Sequence, residues 1–257
     1  MKSVRWLSVF FLFVLFVGAL GADEITVRLE SRIIETWDGP DSGYFADTGE
    51  PITWMARGSK FSREEFPRTA YAMNEWPVDL FGYQPNDPET LGIFGVHGAF
   101  DRQGYNQIEI IPGVKDGDEF IAKPVPLPGQ VQTLDFWVWG SNYDYYVEFL
   151  FQDYNGIVHR FAPYRNENRR APGSVKFIGW KNMYITMPNY IKQASSSLGP
   201  ALSLTKIIVT THPNERVSGF YIYFDHIKVL TDIQNSSYDG VGLGDKQRID
   251  EIWLSEE

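Results

Sequence analysis

The sequence contains no cysteine and only four histidines in 257 residues. Without cysteine, the chain has no disulfides, no thiol nucleophile and no cysteine-ligated metal. The histidines never occur at the His-x-x-x-His spacing of a zinc-binding helix. No Ser-His-Asp combination stands out, and the acidic residues are scattered rather than paired as in glycoside hydrolases. We therefore expect a protein without catalytic residues, cofactor or resident metal.

Long apolar runs are also scarce, and the one that reaches fifteen residues lies at the N-terminus. Lys2 and Arg5 precede an apolar run over residues 6–20, and Gly21 and Ala22 provide small residues after it. The run is shorter than the roughly 20 residues that a spanning helix needs. This order is typical of a cleaved signal peptide rather than of a membrane anchor, so we predict that residues 1–22 are removed on export. We expect no membrane segment in the remaining chain, and export without disulfides favours a bacterial periplasm or surface.

Net positive charge is missing as well. The formal net charge is −10, and loss of Lys2 and Arg5 with the signal peptide would change it to −12. An acidic chain is repelled by nucleic acid and by anionic membrane surfaces. We therefore expect neither as a partner.

Strong helical patterns of normal length are absent, whereas about ten short runs rich in aromatic and β-branched residues alternate with turn signals. This pattern predicts an all-β protein, an antiparallel two-sheet sandwich of jelly-roll type in which the first and last strands pair. We place a single domain at residues 23–231, with an irregular, proline-interrupted insertion at about 62–90 as one candidate binding surface. Residues 232–257 form a polar tail in which a short helix would place Ile249, Ile252 and Trp253 on one side. Trp253 is therefore a candidate contact with a neighbouring molecule, the alternative being a mobile tail.

The densest aromatic stretch lies between Val131 and Phe161, where two turn signals, Gly140–Asn142 and Asp153–Gly156, separate three strand-like runs. We interpret it as the middle of an antiparallel sheet. In its first run the apolar residues alternate so that one face carries Phe136 and Val138, whereas the other carries Trp137 and Trp139. Both faces are therefore apolar. Either the domain covers both, or the tryptophan face meets a partner such as a sugar ring or another subunit.

Two further groups are candidate sites with simpler alternatives. Asp116 and Asp118 flank a glycine and provide oxygen ligands for a structural calcium, although a tight acidic turn explains them more simply. Arg165, Arg169 and Arg170 belong to a basic loop in an otherwise acidic chain. That loop is either a contact surface or a solvated hairpin tip.

Three long segments resemble one known family, the outer-layer (sheath) proteins of spirochaete periplasmic flagella. They read GSNYDYYVEFLFQDYNGIVHRF, GSVKFIGWKNMYITMPNYIKQ and KIIVTTHPNERVSGFYIYFDHIKVLTD. The resemblance covers Val131–Asp232 closely and the N-terminal half more loosely. FYIYFDHIKV, within the third segment, also resembles the closing strand of galactose-binding-like jelly rolls, in agreement with the predicted fold.

The resemblance implies a structural protein without catalytic residues. It implies a periplasmic subunit that coats a flagellin core, contacts neighbouring copies of itself, and contributes to filament shape, stiffness and motility. A second hypothesis, from a different class, is a periplasmic carbohydrate-binding β-sandwich module that uses Trp137 or Trp139 as a stacking platform.

Overall fold

The computed structural model describes residues 28–166, 170–193 and 202–233, together with Trp253. The predicted signal peptide, Arg169, and the rest of the tail with its predicted helix lie outside the described residues. Within the described part of the chain, no helix combines the length and apolar character needed to cross a membrane.

Thirteen strands account for most of the described chain, and every strand pair is antiparallel. They are β1 (Leu29–Glu35), β2 (Thr53–Gly58), β3 (Arg68–Met73), β4 (Gly92–Gly98), β5 (Gln107–Asp116), β6 (Glu119–Ala122), β7 (Val125–Leu127), β8 (Gln130–Ser141), β9 (Tyr145–Asp153), β10 (Val158–Phe161), β11 (Ile178–Thr186), β12 (Leu202–Thr211) and β13 (Phe220–Asp232). In these described residues the helical elements are α1 (Val78–Phe81) and a 3-10 turn at Pro88–Thr90.

The strands form two sheets. Sheet one has the order β11-β8-β13-β4-β3, with β1 also pairing with β13. Sheet two has the order β10-β9-β12-β5-β2, with β6 on β5 and β7 on β12. The predicted antiparallel two-sheet sandwich of jelly-roll type is therefore confirmed. Its first and last strands pair as expected, since Leu29 lies opposite Asp232.

The core lies between the inner faces of the two sheets. Phe136 and Val138 of β8 are fully buried there, and the Phe136 ring lies 4.6 Å from the Phe149 ring of β9, measured between centroids. Strict alternation in β8 and β9 produces this arrangement, because every second side chain of a strand points to the same face. The outward side chains of β8, including Trp137 and Trp139, are only half-buried.

The interpretation of Val131–Phe161 as the middle of one sheet was wrong. The strand β8 pairs with β11 and β13 in sheet one, whereas β9 pairs with β10 and β12 in sheet two. Gly140–Asn142, with Asn142 at φ 64°, is therefore part of a crossing between sheets. Turn residues mark where a strand ends but not which strand it pairs with, which explains the error. The Asp153–Gly156 turn does connect the paired strands β9 and β10.

The insertion at residues 62–90 contains more regular structure than its prolines predict. Its strand β3 pairs with β4 and adds an edge to sheet one. The helix α1 follows, and its Phe81 ring meets the His226 ring of β13 edge-on at 5.4 Å. The insertion therefore contributes to sheet one rather than projecting from the sandwich as an irregular loop.

Candidate functional site: the outer face of sheet one

The outer face of sheet one carries a row of aromatic side chains across three neighbouring strands. Trp139 of β8 lies directly opposite Trp180 of β11 on one side and Tyr223 of β13 on the other. The rings of Trp139 and Tyr223 meet edge-on, with centroids 5.5 Å apart. We call Trp180, Trp139 and Tyr223 the aromatic rung. All three are half-buried, so the rung is partly accessible to a partner.

A glycine on the neighbouring strand makes room for this arrangement. Gly95 of β4 lies opposite Tyr223, and a Cβ atom at Gly95 would lie 2.8 Å from the Tyr223 ring. The tyrosine can lie across β4 only because that position has no side chain.

Beside the rung, two cross-strand pairs of β8 and β11 each place a polar side chain opposite an aromatic one. Asp135 of β8 lies opposite Tyr184 of β11 and Lys228 of β13, and Trp137 lies opposite Asn182. The Asn182 Nδ2 donates a hydrogen bond to the Asp135 Oδ1 at 3.1 Å, and the Lys228 Nζ lies 3.5 Å from the same oxygen. These side chains line an open groove of about 510 Å³, which we call the polar groove. Its lining residues are Leu80, Thr133, Asp135, Trp137, Asn166, Asn182, Tyr184 and Lys228.

A buried carboxylate lies next to the groove, where β13 is irregular. Asp225 is only 1% exposed, and neither carboxylate oxygen accepts a well-directed hydrogen bond. Burial raises its pKa to about 8, and the negative charge of Asp38 adds to the effect. His226 follows at φ 55°, in the register shift of β13 against β8, and burial lowers its pKa. The carboxyl group of Asp225 is therefore largely neutral at pH 7.

The outer face of sheet two has a different chemistry. Glu109 of β5 accepts hydrogen bonds from Arg57 of β2 and from Lys206 of β12, the latter at 3.1 Å. Burial alone would raise the pKa of Glu109, but these hydrogen bonds and charges outweigh it and hold that pKa below its usual value. Arg160 pairs with Glu148 on the same sheet. These charges are thus paired within the chain, and Arg57 keeps most of its side chain in water.

The structure locates the residues that the sequence singled out, without bringing them into one site. Trp137 lines the polar groove, and Trp139 belongs to the aromatic rung. The guanidinium of Arg165 lies 4.6 Å from the centre of the Phe177 ring, and its Nε atom is buried without a hydrogen-bond partner. Arg170 is exposed, and Arg169 lies outside the described residues. Trp253 is 75% exposed.

Asp116 is the last residue of β5, and Asp118 lies in the exposed turn that leads to β6, where Gly117 has φ 62°. Among the described residues, no group of three or more histidine or acidic side chains is placed to hold a metal ion. The turn geometry explains the spacing of the two aspartates, and calcium binding stays a prediction.

Sequence reasoning missed most of this face. The residues that it did not select are Asp135, Trp180, Asn182, Tyr184, Tyr223, Asp225 and Lys228. The alternation of β11 and β13 predicts which of their side chains share a face, but only the strand order places them beside Trp137 and Trp139. That information lies in pairings between residues about 40 to 90 positions apart.

The fold and this outer face define a class of protein, an antiparallel β-sandwich module with an aromatic outer face. The family model of the flagellar filament outer layer protein FlaA matches residues 84–239, more than half of the chain. The chain therefore belongs to the FlaA flagellar filament outer layer family.

One curated relative is a putative flagellar filament outer layer-like protein of Brachyspira hyodysenteriae. It is 28% identical over 148 residues, which are 57% of this chain and 60% of that protein, so the match spans less than two thirds of the relative. The family implies association with the flagellar filament.

Solved structures with a similar arrangement include TmCBM61 in complex with β-1,4-galactotriose, at 15% identity and a TM-score of 0.38. That likeness covers 78% of this chain and 99% of TmCBM61. Another is the family 11 carbohydrate-binding module of a cellulosomal cellulase of Clostridium thermocellum, at 10% identity and a TM-score of 0.36, covering 79% of this chain and 96% of the module. At these scores the likenesses carry no functional argument, and our fold assignment rests on the strand order itself.

Proposed function

We propose that this protein is a structural subunit of the outer layer, or sheath, of periplasmic flagellar filaments. In this role it is exported, coats the flagellin core beside copies of itself, and contributes to the shape and stiffness of the filament without catalysing a reaction. The observation that carries the proposal is the family match over residues 84–239. That region contains β4–β13 and therefore most of both sheets.

The outer face of sheet one is the surface that we assign to filament contact. Next to the aromatic rung, the Tyr221 ring of β13 stacks on the His97 ring of β4, with ring centroids 4.2 Å apart. The Tyr221 side chain is 47% exposed. Aromatic side chains that are partly exposed and contiguous are enriched at protein interfaces, because they bury large apolar areas on association. On the outer face of sheet two, Glu109 and Glu148 are already paired with basic side chains of the same chain, so these carboxylates have less to gain from contact with a partner.

Sedimentation of filaments isolated from the bacterium that encodes this protein tests the proposal. The native protein should pellet with flagellin. A variant with both Trp139→Ala and Trp180→Ala should move largely to the supernatant, because it loses two large aromatic contacts of the rung.

The matched control is Tyr83→Ala, which removes an aromatic side chain that is 87% exposed and lies outside the rung. It should pellet like the native protein. Circular dichroism and thermal unfolding of each purified variant establish that the chain is folded. If the native protein stays in the supernatant while flagellin pellets, the proposed function is wrong; if the double variant pellets fully, the assigned surface is wrong.

A further inference from the structure

The polar groove has a composition that differs from the rest of the outer face. Two aromatic side chains, Trp137 and Tyr184, lie diagonally across β8 and β11, and the polar side chains of Asp135 and Asn182 complete the same two cross-strand pairs. Diagonal neighbours on a sheet are separated by about 7–8 Å, so these two aromatic side chains border the same patch of the outer face. We infer that the polar groove is a binding site for a saccharide, with one pyranose ring held between Trp137 and Tyr184.

The chemistry of the lining residues matches both parts of a sugar ring. The C–H face of a pyranose is apolar and packs on an aromatic ring, whereas its hydroxyl groups both donate and accept hydrogen bonds. The Asp135 carboxylate accepts, the Lys228 ammonium donates, and the Asn182 amide does both. A few placed polar groups beside aromatic walls are typical of small-molecule sites, and the groove volume of about 510 Å³ lies in their usual range.

The charges of the groove argue against two other occupants. The positive charge of Lys228 lies 3.5 Å from the Asp135 carboxylate, so the groove has no net positive charge to attract a phosphate or another anion. An apolar protein segment would bury this ion pair without replacing its water, which is unfavourable. Sugar hydroxyls replace that water with hydrogen bonds of both polarities.

The groove is also ordered before any ligand arrives. Asp135 is fixed by Asn182, whose Nδ2 also lies 3.3 Å from the Phe136 carbonyl oxygen. Three of the polar side chains stand on paired strands rather than on loops, which limits the entropy lost on binding. This inference does not depend on the filament role, since saccharide binding can be measured on the purified protein alone.

Isothermal titration calorimetry of the purified protein tests the inference. The titrants are oligosaccharides of neutral hexoses, of N-acetylhexosamines and of uronic acids, and inorganic phosphate serves as the anion probe. We expect saturable binding of at least one oligosaccharide and none of phosphate. Trp137→Ala and Asp135→Asn should each weaken that binding at least tenfold.

The control variants are Glu109→Gln, on the outer face of sheet two, and Tyr83→Ala. Both should bind within twofold of the native protein, and circular dichroism should show all variants folded. The inference is overturned if no saccharide of the three classes binds, if only phosphate binds, or if the groove variants bind as tightly as the controls.

A second measurement distinguishes the two sources of such a sugar. Filaments stripped of this protein are added as competitor before and after enzymatic or chemical removal of protein-linked glycans. Competition that disappears with the glycans identifies a sugar carried by the filament, whereas no competition at all identifies a free or cell-wall saccharide. Both results support the saccharide site and leave the sedimentation test of the sheath role independent.

Discussion

The two sheets of this sandwich share one core but present opposite chemistries to the outside. On sheet one, the outward positions of β8, β11 and β13 carry Trp139, Trp180 and Tyr223 beside a small polar groove. On sheet two, Arg57 of β2 and Lys206 of β12 lie at outward positions, and each contacts Glu109 of β5 between them. Both faces consist of antiparallel strands with the same alternation, so the fold does not explain the difference.

Folding requires the inner faces of the two sheets but places few demands on their outer faces. Each sheet buries its inner face, and that burial stabilises the sandwich regardless of what lies outside. Exposed ion pairs contribute little to stability, about 0–1 kcal/mol each, but they keep a face in water. Half-buried tryptophans on an outer face are instead best covered by another molecule. This difference supports our proposal that the outer face of sheet one is the contact surface.

The largest expected effect is a difference in stability loss between substitutions on the inner and outer sides of β8. Phe136→Ala should lower the free energy of unfolding by about 3–5 kcal/mol, because it opens a cavity against Phe149. Trp137→Ala, at the next position but on the outer face, should lower it by about 1–2 kcal/mol. Urea denaturation of both variants measures the difference. Equal losses would mean that the tryptophan face is part of the folding core rather than a binding surface.

The second prediction concerns Asp225, the buried acidic residue that lies opposite Trp137 in sheet one. The pKa of Asp225 is raised to about 8 in the folded chain, whereas an aspartate in an unfolded chain titrates near about 3.9. The folded state therefore binds the proton more tightly, and stability falls as the pH rises from about 4 to about 8. Asp225→Asn cannot ionise, so it should be more stable than the native protein at pH 9 by several kcal/mol, since each unit of pKa shift corresponds to about 1.4 kcal/mol.

Urea denaturation of both proteins at pH 5, 7 and 9 checks this prediction. Glu35 and His226 also have shifted pKa values and are present in both proteins, so the difference removes their own titration. What it retains is the effect of the negative charge of Glu35 on Asp225, which adds to the raised pKa of Asp225. The advantage of the variant should grow with pH and be small at pH 5. An advantage that is constant, or that shrinks as the pH rises, would show that folding does not raise the pKa of Asp225.

The third prediction concerns the aromatic rung. Gly95→Ala should push the Tyr223 ring away from its place, since the added Cβ would lie 2.8 Å from it. The loss of the edge-on contact with Trp139 should cost about 0.5–1.5 kcal/mol. In a double-mutant cycle, most of this cost should vanish when Tyr223 is already alanine. Full additivity would mean that the rung is not packed as described.

The smallest effect is expected on the charged face. Arg57→Ala should change stability by less than about 1 kcal/mol, because the Arg57 side chain is 63% exposed and Glu109 keeps its contact with Lys206. The change should shrink further at 1 M salt, where exposed charges are screened. A larger, salt-independent loss in thermal unfolding would contradict the view that sheet two's outer face serves mainly solvation.

The sequence predicts local features of this protein better than long-range ones. The alternation of side chains along β8 places Phe136 and Trp137 on opposite faces. The turn signal at Asn155–Gly156 predicts the β9–β10 hairpin. Both predictions depend only on short-range geometry. The pairing of β8 with β11 and β13 depends on register between distant strands, so the rung and the groove could not be assembled in advance. Asp225 was not predicted either, because its burial depends on a register shift in β13 and on the fold around it.

The central claim is that the outer face of sheet one contacts the filament. A photo-crosslinking aromatic amino acid placed at Trp180, compared with the same residue placed at Met55 on the outer face of sheet two, tests it most directly in isolated filaments. We expect the position of Trp180 to form crosslinks to flagellin or to a neighbouring copy, and the position of Met55 to form few. Crosslinks from Met55 alone would contradict the account.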